Sequence, residues 1–175
     1  MKNVSTIHNC YGCGVCAVSC GKKIINIRLN EDGFYAPYID EPEKCMECGI
    51  CLDVCAFNHK ERALKPEEVQ IKSWAAWSND EAVRRKCSSG GIGFEIGKQL
   101  IEQGFHAVGC RYDINEQRAE HYIATTVEEF VQSIGSKYIQ SYTEEAFKLI
   151  KRKGQKYLII GTPCPVSYTH LRAHE

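Results

Sequence analysis

Hydrophobic and polar positions follow a strand-like pattern in the first third of the chain. Two apolar stretches, IINIRL and FYAPYID, flank the polar segment NEDG, which contains Asp32 and Gly33. Short apolar runs joined by a glycine-containing turn are typical of a β-hairpin. This region therefore predicts two paired strands between residues 24 and 40.

From residue 73 onward, apolar runs alternate with segments of helical period. The runs SWAAWS, FHAVGC, HYIAT and KYLIIGT predict strands, and GSKYIQS predicts a loop with a strand. Ile92, Ile96 and Leu100 recur at helical spacing, which predicts a helix from Gly91 to Gln103 that Gly104 terminates. The capping box T-V-E-E opens a short helix, and EEAFKLIKRK predicts another. This alternation indicates an α/β domain with a mixed, mostly buried sheet.

The segment between these two regions, residues 58–72, is charged and has no apolar stripe, so it predicts a linker with a helical turn after Pro66. The fold class expected for the whole chain is therefore α+β, with a small N-terminal domain followed by the α/β domain.

Composition excludes several functional classes. The 175 residues are 43% hydrophobic, which is too apolar for a disordered chain, and 22 basic residues balance 22 acidic ones. A general nucleic-acid binder would need a basic excess. The sequence shows neither a secretory signal nor a run long enough to span a membrane, so a cytoplasmic location is expected.

The eleven cysteines change the picture most. Eight of them form two runs with the same spacing, C-x2-C-x2-C-x3-C: Cys10, Cys13, Cys16, Cys20 and Cys45, Cys48, Cys51, Cys55. This spacing is the bacterial ferredoxin pattern for a [4Fe-4S] cluster. The alternative is zinc or structural thiols, but zinc sites usually combine two C-x2-C pairs separated by a long spacer.

Residues 1–57 thus resemble a two-cluster [4Fe-4S] ferredoxin domain. Gly14 and Gly49 follow the second cysteine of each run, where a glycine lets backbone N–H groups approach the cluster. Gly21 and Ala56 stand where ferredoxins usually have proline. In ferredoxins the fourth cysteine of each run binds the other cluster. The resemblance therefore assigns Cys10, Cys13, Cys16 and Cys55 to cluster 1, and Cys20, Cys45, Cys48 and Cys51 to cluster 2.

Two loops of the α/β domain are candidates for a ligand site. SSGG precedes a helix, where free N–H groups favour phosphate, and GTPC follows the last strand. A serine-capped turn and a buried structural cysteine are the alternatives.

The order of the ferredoxin domain, SSGG, GSKY and GTPC resembles the coenzyme F420 hydrogenase/dehydrogenase beta-subunit family over residues 1–164. The resemblance implies that residues 73–164 are the N-terminal part of an α/β domain, and that FAD and F420 are candidate cofactors of the full-length parent protein. It indicates these cofactor-binding residues: Ser88, Ser89, Gly90, Gly91, Lys137, Thr162 and Cys164. Cys87, Cys110 and Cys164 could form a third cluster or a thiol site; isolated buried thiols are the alternative.

Two functions are compatible with this resemblance. The first is a flavin-dependent oxidoreductase that oxidises reduced deazaflavin or a related donor. The second is an electron-delivery module that reduces a partner enzyme, for instance in polysaccharide modification. Either function requires a redox partner protein or a flavin-type donor, and neither requires nucleic acid or a membrane span. The catalytic residues are not indicated by any motif.

The last residues have no apolar period. Val166–Glu175, VSYTHLRAHE, reads as the third-frame translation of a widely used transposase sequencing adapter, and Pro165 fits a hybrid codon at the junction. We therefore expect residues 165–175 to be an artefact and the chain to be a C-terminally truncated fragment of a longer protein.

Overall fold

The fold is α+β, as the sequence predicts. The computed structural model describes residues 3–8, 10–59, 72–150 and 154–161. Residues 60–71 of the predicted linker 58–72, residues 151–153, residues 162–164 and the tail 165–175 lie outside the described residues. Within the described ranges, no helix is both long and apolar enough to cross a bilayer.

The N-terminal part consists of two short helices and a hairpin. Its elements are α1 (Val15–Ser19), β1 (Ile25–Leu29), β2 (Tyr35–Ile39) and α2 (Ile50–Asp53). The strands pair antiparallel, with Ile25 opposite Ile39 and Leu29 opposite Tyr35, which confirms the predicted hairpin. Gly33 has a φ of 79° in the connecting turn, a backbone conformation that glycine adopts without strain.

The second part is a four-stranded mixed sheet with helices. Its elements are α3 (Glu81–Lys86), α4 (Ile92–Glu102), β3 (His106–Asp113), β4 (Arg118–Ala124), α5 (Val127–Phe130), β5 (Ser141–Tyr142), α6 (Glu144–Leu149) and β6 (Tyr157–Ile159). The strand order is β5-β4-β3-β6, in which the central pair β3 and β4 is antiparallel and both outer pairs are parallel. The predicted capping box is present, because Thr126 and Glu129 exchange hydrogen bonds at the start of α5.

The two faces of this sheet bury different partners. On one face Tyr122 packs with Ile101 of α4 and Phe130 of α5. On the other face Val108 packs with Phe147 of α6 and with Val15 of α1. The N-terminal part is therefore docked on one face of the sheet through a shared apolar cluster.

Two details of the second part differ from the sequence prediction. SWAAWS forms no strand; Trp74 and Trp77 are exposed, and Ser78 N instead donates to the carbonyl of Gly90. Helix α4 has the predicted position, but Ile96 is 48% exposed, whereas Gly97 and Ile101 are buried. The helix turns this face to the sheet because Gly97 leaves room for the Phe130 ring.

Two glycines of α4 give a matched stability test. A Cβ at Gly97 would collide with the Phe130 ring, whereas a Cβ at Gly93 meets nothing within 4 Å. Alanine in a helix is favoured over glycine by roughly 0.5–1 kcal/mol. We expect Gly93→Ala to raise the thermal midpoint slightly. Gly97→Ala should lower the thermal midpoint, because overpacking against the Phe130 ring costs about 1–3 kcal/mol of folding free energy. Equal effects of both substitutions would contradict this packing.

Candidate functional site

The two cysteine runs adopt the same local structure. Gly14 and Gly49 each precede a short α-helix. Both glycines have a left-handed backbone conformation, with φ values of 77° and 78°. Cys16 and Cys51 are therefore equivalent: each is the second residue of the short helix that follows its glycine. The repeat seen in the sequence is a repeat in three dimensions.

Cysteines of both runs lie around the first loop. Cys16 is 9% exposed, and burial raises the pKa of its thiol above the usual range. The nearby sulfurs of Cys13, Cys10, Cys55 and Cys51 raise this pKa further, in that order. The two cysteine runs therefore approach each other at Cys16.

The second loop has the corresponding arrangement. Burial raises the pKa of the Cys51 thiol, and the sulfurs of Cys48 and Cys45 add to this effect, while the backbone N–H of Val4 opposes it. Cys20 packs against the same apolar cluster as Cys45 and Cys51. The same cluster also contains Cys16, so it joins the two cysteine runs.

This donor set fits a cationic thiolate-bound group. Neighbouring thiols whose charged forms repel one another need positive charge to remain thiolates together. None of the ten cysteines in the described part of the chain is in a disulfide. N–H groups also face the sulfurs: Gly12 N lies 3.3 Å from Cys10 Sγ, and Asn3 Nδ2 lies 3.6 Å from Cys45 Sγ.

The cysteine side chains do not converge on a single point. Within the described ranges, no three His, Cys, Asp or Glu side chains are grouped as they would be around a single metal ion. In a [4Fe-4S] cluster four cysteine thiolates hold one cluster rather than one ion.

A segment of the second part covers the first cysteine loop. The Gln140 side chain accepts a hydrogen bond from Tyr35 N at 2.5 Å and donates to the carbonyl oxygens of Tyr35 and Tyr11 at 3.1 and 2.9 Å. The Thr143 hydroxyl donates to the Cys13 carbonyl at 2.8 Å. A Cβ at Gly14 would lie 2.6 Å from Thr143 Oγ1, so this contact requires glycine in the loop.

A buried carboxylate completes this contact. Glu144 is 1% exposed, and its Oε2 accepts a hydrogen bond from Ile27 N at 2.6 Å. Its other oxygen forms an ion pair with Lys148 on the next turn of α6. No sequence motif indicates Gln140, Thr143 or Glu144, because contacts between residues more than a hundred positions apart leave no local pattern.

A pocket of about 190 Å³ lies beside the N-terminus of α4. It brings the SSGG and GSKY motifs together, and Ser136 N donates to Ser88 Oγ at 2.9 Å. Its lining residues are Cys87, Ser88, Ser89, Gly91, Gly93, Phe94, Phe130, Ser133, Ile134, Gly135, Ser136 and Ile160. The pocket is therefore built by two motifs that are 48 residues apart in sequence.

The other predicted site residues have different positions. The Lys137 ammonium lies within 3.2 Å of the four carbonyl oxygens of residues 132–135 and donates its three N–H groups among them, so it orders the loop that lines the pocket. Cys87 lies in the pocket lining, whereas Cys110 lies in β3 opposite His121 and outside that lining. Gly90 packs against the backbone of residues 76–77. Thr162 and Cys164 lie outside the described residues.

This combination of paired cysteine loops and an α/β unit with a motif-lined pocket defines an iron–sulfur electron-transfer protein. Residues 9–59 match the family described as a 4Fe-4S dicluster domain. Residues 73–159 match the coenzyme F420 hydrogenase/dehydrogenase beta subunit, N-terminal domain. The chain therefore joins an iron–sulfur dicluster domain to the N-terminal domain of the coenzyme F420 hydrogenase/dehydrogenase beta-subunit family. These two domains indicate electron transfer within an oxidoreductase. No curated protein matches the chain.

Proposed function

We propose that the protein transfers electrons between two [4Fe-4S] clusters and a flavin held at the α4 pocket. In this proposal cluster 1 is held by Cys10, Cys13, Cys16 and Cys55, and cluster 2 by Cys20, Cys45, Cys48 and Cys51. The repeated cysteine spacing, the match to a dicluster domain and the approach of the two cysteine runs support these ligand sets.

One segment of the chain carries the proposal, since it contacts both the first cysteine loop and the pocket. Ser136 lines the pocket, and Gln140, four residues on, holds the loop that contains Cys10 and Cys13. Four residues span at most about 14 Å even when fully extended. This short connection supports a pocket placed near cluster 1.

The pocket has the chemistry of a phosphate site. The hydroxyls of Ser88 and Ser89 and the N-terminus of the 11-residue helix α4 border it. Added Cβ atoms at Gly93 and Gly135 would meet nothing within 4 Å, so bare backbone faces open space there. Such a site suits the pyrophosphate of FAD. When bound, a flavin exchanges two electrons as hydride, whereas each cluster carries one.

The chain's own residues have positioning roles in this scheme. Lys137 fixes the loop of residues 132–135 beside the pocket, and Gln140 fixes the first cysteine loop. F420 is the proposed hydride donor or acceptor, as the family relationship suggests. The proposed domain limits are 1–57, 58–72 and 73–164, and the proposed location is the cytoplasm, where thiols stay reduced.

An electron-delivery module without a substrate site is the second candidate function. The exposure of the second cysteine loop favours it, because Cys48 is exposed and can approach another protein. A partner enzyme, for instance in polysaccharide modification, would then receive the electrons. Flavin bound at the pocket distinguishes the first candidate from the second.

A charge placed in the pocket tests flavin binding. Gly93→Glu puts a carboxylate in open space in the first turn of α4, where it favours the helix but repels phosphate. Gly93→Gln is the neutral control of the same shape. We expect Gly93→Glu to weaken FAD binding on the order of tenfold relative to Gly93→Gln in a fluorescence titration of the full chain. Equal affinities would place the phosphates elsewhere.

A further inference from the structure

The two cysteine loops have the same backbone but opposite surroundings. Gly12 is buried in the first loop, whereas Glu47, at the equivalent position of the second loop, is exposed. Val15 is 2% exposed, and its equivalent, Ile50, is 45% exposed. The sheet part covers the first loop, and the second loop faces outward. The two loops therefore share a backbone conformation, but the second loop is more exposed to solvent than the first.

The exposed loop has the anatomy of a small protein-binding surface. Met46 is 67% exposed and lies, with Ile50, beside the exposed Cys48. Apolar side chains at the centre and charged side chains at the rim are typical of such surfaces. Interfaces between electron-transfer proteins are usually small and short-lived, so three or four central residues suffice.

The charges around this loop specify the partner's chemistry. The segment 41–53 contains four carboxylates and one lysine: Glu41, Glu43, Glu47, Asp53 and Lys44. Lys44 forms an ion pair with Glu41, and the segment as a whole carries three more negative charges than positive ones. A negative patch attracts a positively charged partner and raises its association rate.

We propose that residues 45–53, with the carboxylates around them, form the docking surface for a basic one-electron redox protein. The inference rests on the proposed function and adds a direction to it. Electrons pass between the partner and cluster 2, then between cluster 2 and cluster 1, and then to or from the pocket. In each transfer among the partner and the clusters, one centre loses one electron and the next gains it, without bond formation or proton transfer. A flavin held in the pocket would take up two of these electrons with one proton from water.

Charge reversal tests the docking surface. Ferricytochrome c, a basic haem protein, serves as the probe, and its binding to the immobilised cluster-loaded protein is measured at low salt. Glu43→Lys with Glu47→Lys reverses two charges at the proposed surface. Glu31→Lys with Asp32→Lys makes the same change in net charge in the exposed hairpin turn, away from the second cysteine loop.

We expect the first pair of substitutions to weaken binding tenfold or more and the control pair to change it less than twofold. Equal losses in both would show that net charge alone acts and would overturn the docking surface. The iron and flavin content of each variant distinguishes failure of the docking surface from failure of the proposed function. If both stay unchanged while the binding losses are equal, the docking surface is wrong and the proposed function stands.

Solvent access gives an independent readout that does not depend on any partner. A water-soluble dysprosium chelate speeds the electron-spin relaxation of nearby reduced clusters. The cluster signal that Cys48→Ser abolishes should be the more strongly affected of the two. If the signal that Cys13→Ser abolishes is affected as much or more, cluster 2 is not the outer centre and the inference fails. If only one cluster signal exists in the unsubstituted protein, the proposed function fails with it.

Discussion

Cys16→Ser is expected to remove one of the two clusters and to leave about four iron atoms per chain instead of about eight. Serine has nearly the shape of cysteine but is a poor ligand for iron, so the loss is chemical rather than steric. Cys16 lies buried near the sulfurs of Cys13, Cys10 and Cys55, its proposed partners in cluster 1. Iron and sulfide analysis after anaerobic reconstitution measures the loss.

The matched control is Cys87→Ser, which should keep about eight iron atoms. Cys87 lies in the pocket lining, apart from both cysteine loops. Loss of iron in both variants would mean that Cys87 also binds a cluster. A protein that binds tightly held zinc in place of iron would contradict the cluster assignment altogether.

Glu144→Ala is expected to destabilise the contact between the two parts of the chain by about 3 kcal/mol. The substitution leaves the buried N–H of Ile27 without its acceptor and removes the ion-pair partner of Lys148. Burial makes these losses costly, because water cannot replace the missing acceptor. The thermal midpoint, measured anaerobically, should fall by several degrees.

Two further variants test this explanation. Glu145 is the neighbouring carboxylate with a 69% exposed side chain, so Glu145→Ala should change stability by less than about 0.5 kcal/mol. Glu144→Gln keeps an oxygen acceptor for Ile27 N, so it should lower the thermal midpoint less than Glu144→Ala does. A similar midpoint for Glu144→Ala and Glu145→Ala would show that the buried carboxylate does not hold the two parts together.

The sequence could predict the features that depend on the spacing of neighbouring residues. The cysteine repeat, the hairpin around Gly33 and the capping box of Thr126 and Glu129 depend on residues close together in the chain. Each is enforced by backbone geometry or ligand spacing, so a single sequence shows it. The match to the dicluster domain over residues 9–59 confirms the iron–sulfur interpretation.

The features that the sequence could not predict depend on contacts between distant residues. SWAAWS has the composition of a strand but finds no neighbour to pair with among the described residues, so its two tryptophans lie exposed. The buried face of α4 follows the position of Phe130, not the spacing of Ile92 and Ile96. The docking of Gln140 on the hairpin likewise joins residues 105 positions apart.

The central claim is that one protein holds two clusters and a flavin in electronic contact. Cofactor analysis of the full chain purified without oxygen tests it most directly. The account predicts about eight iron and eight sulfide per chain, together with one FAD. In that preparation the flavin should be reduced when electrons are supplied to the clusters. Zinc in place of iron, or a single cluster without flavin, would contradict the account.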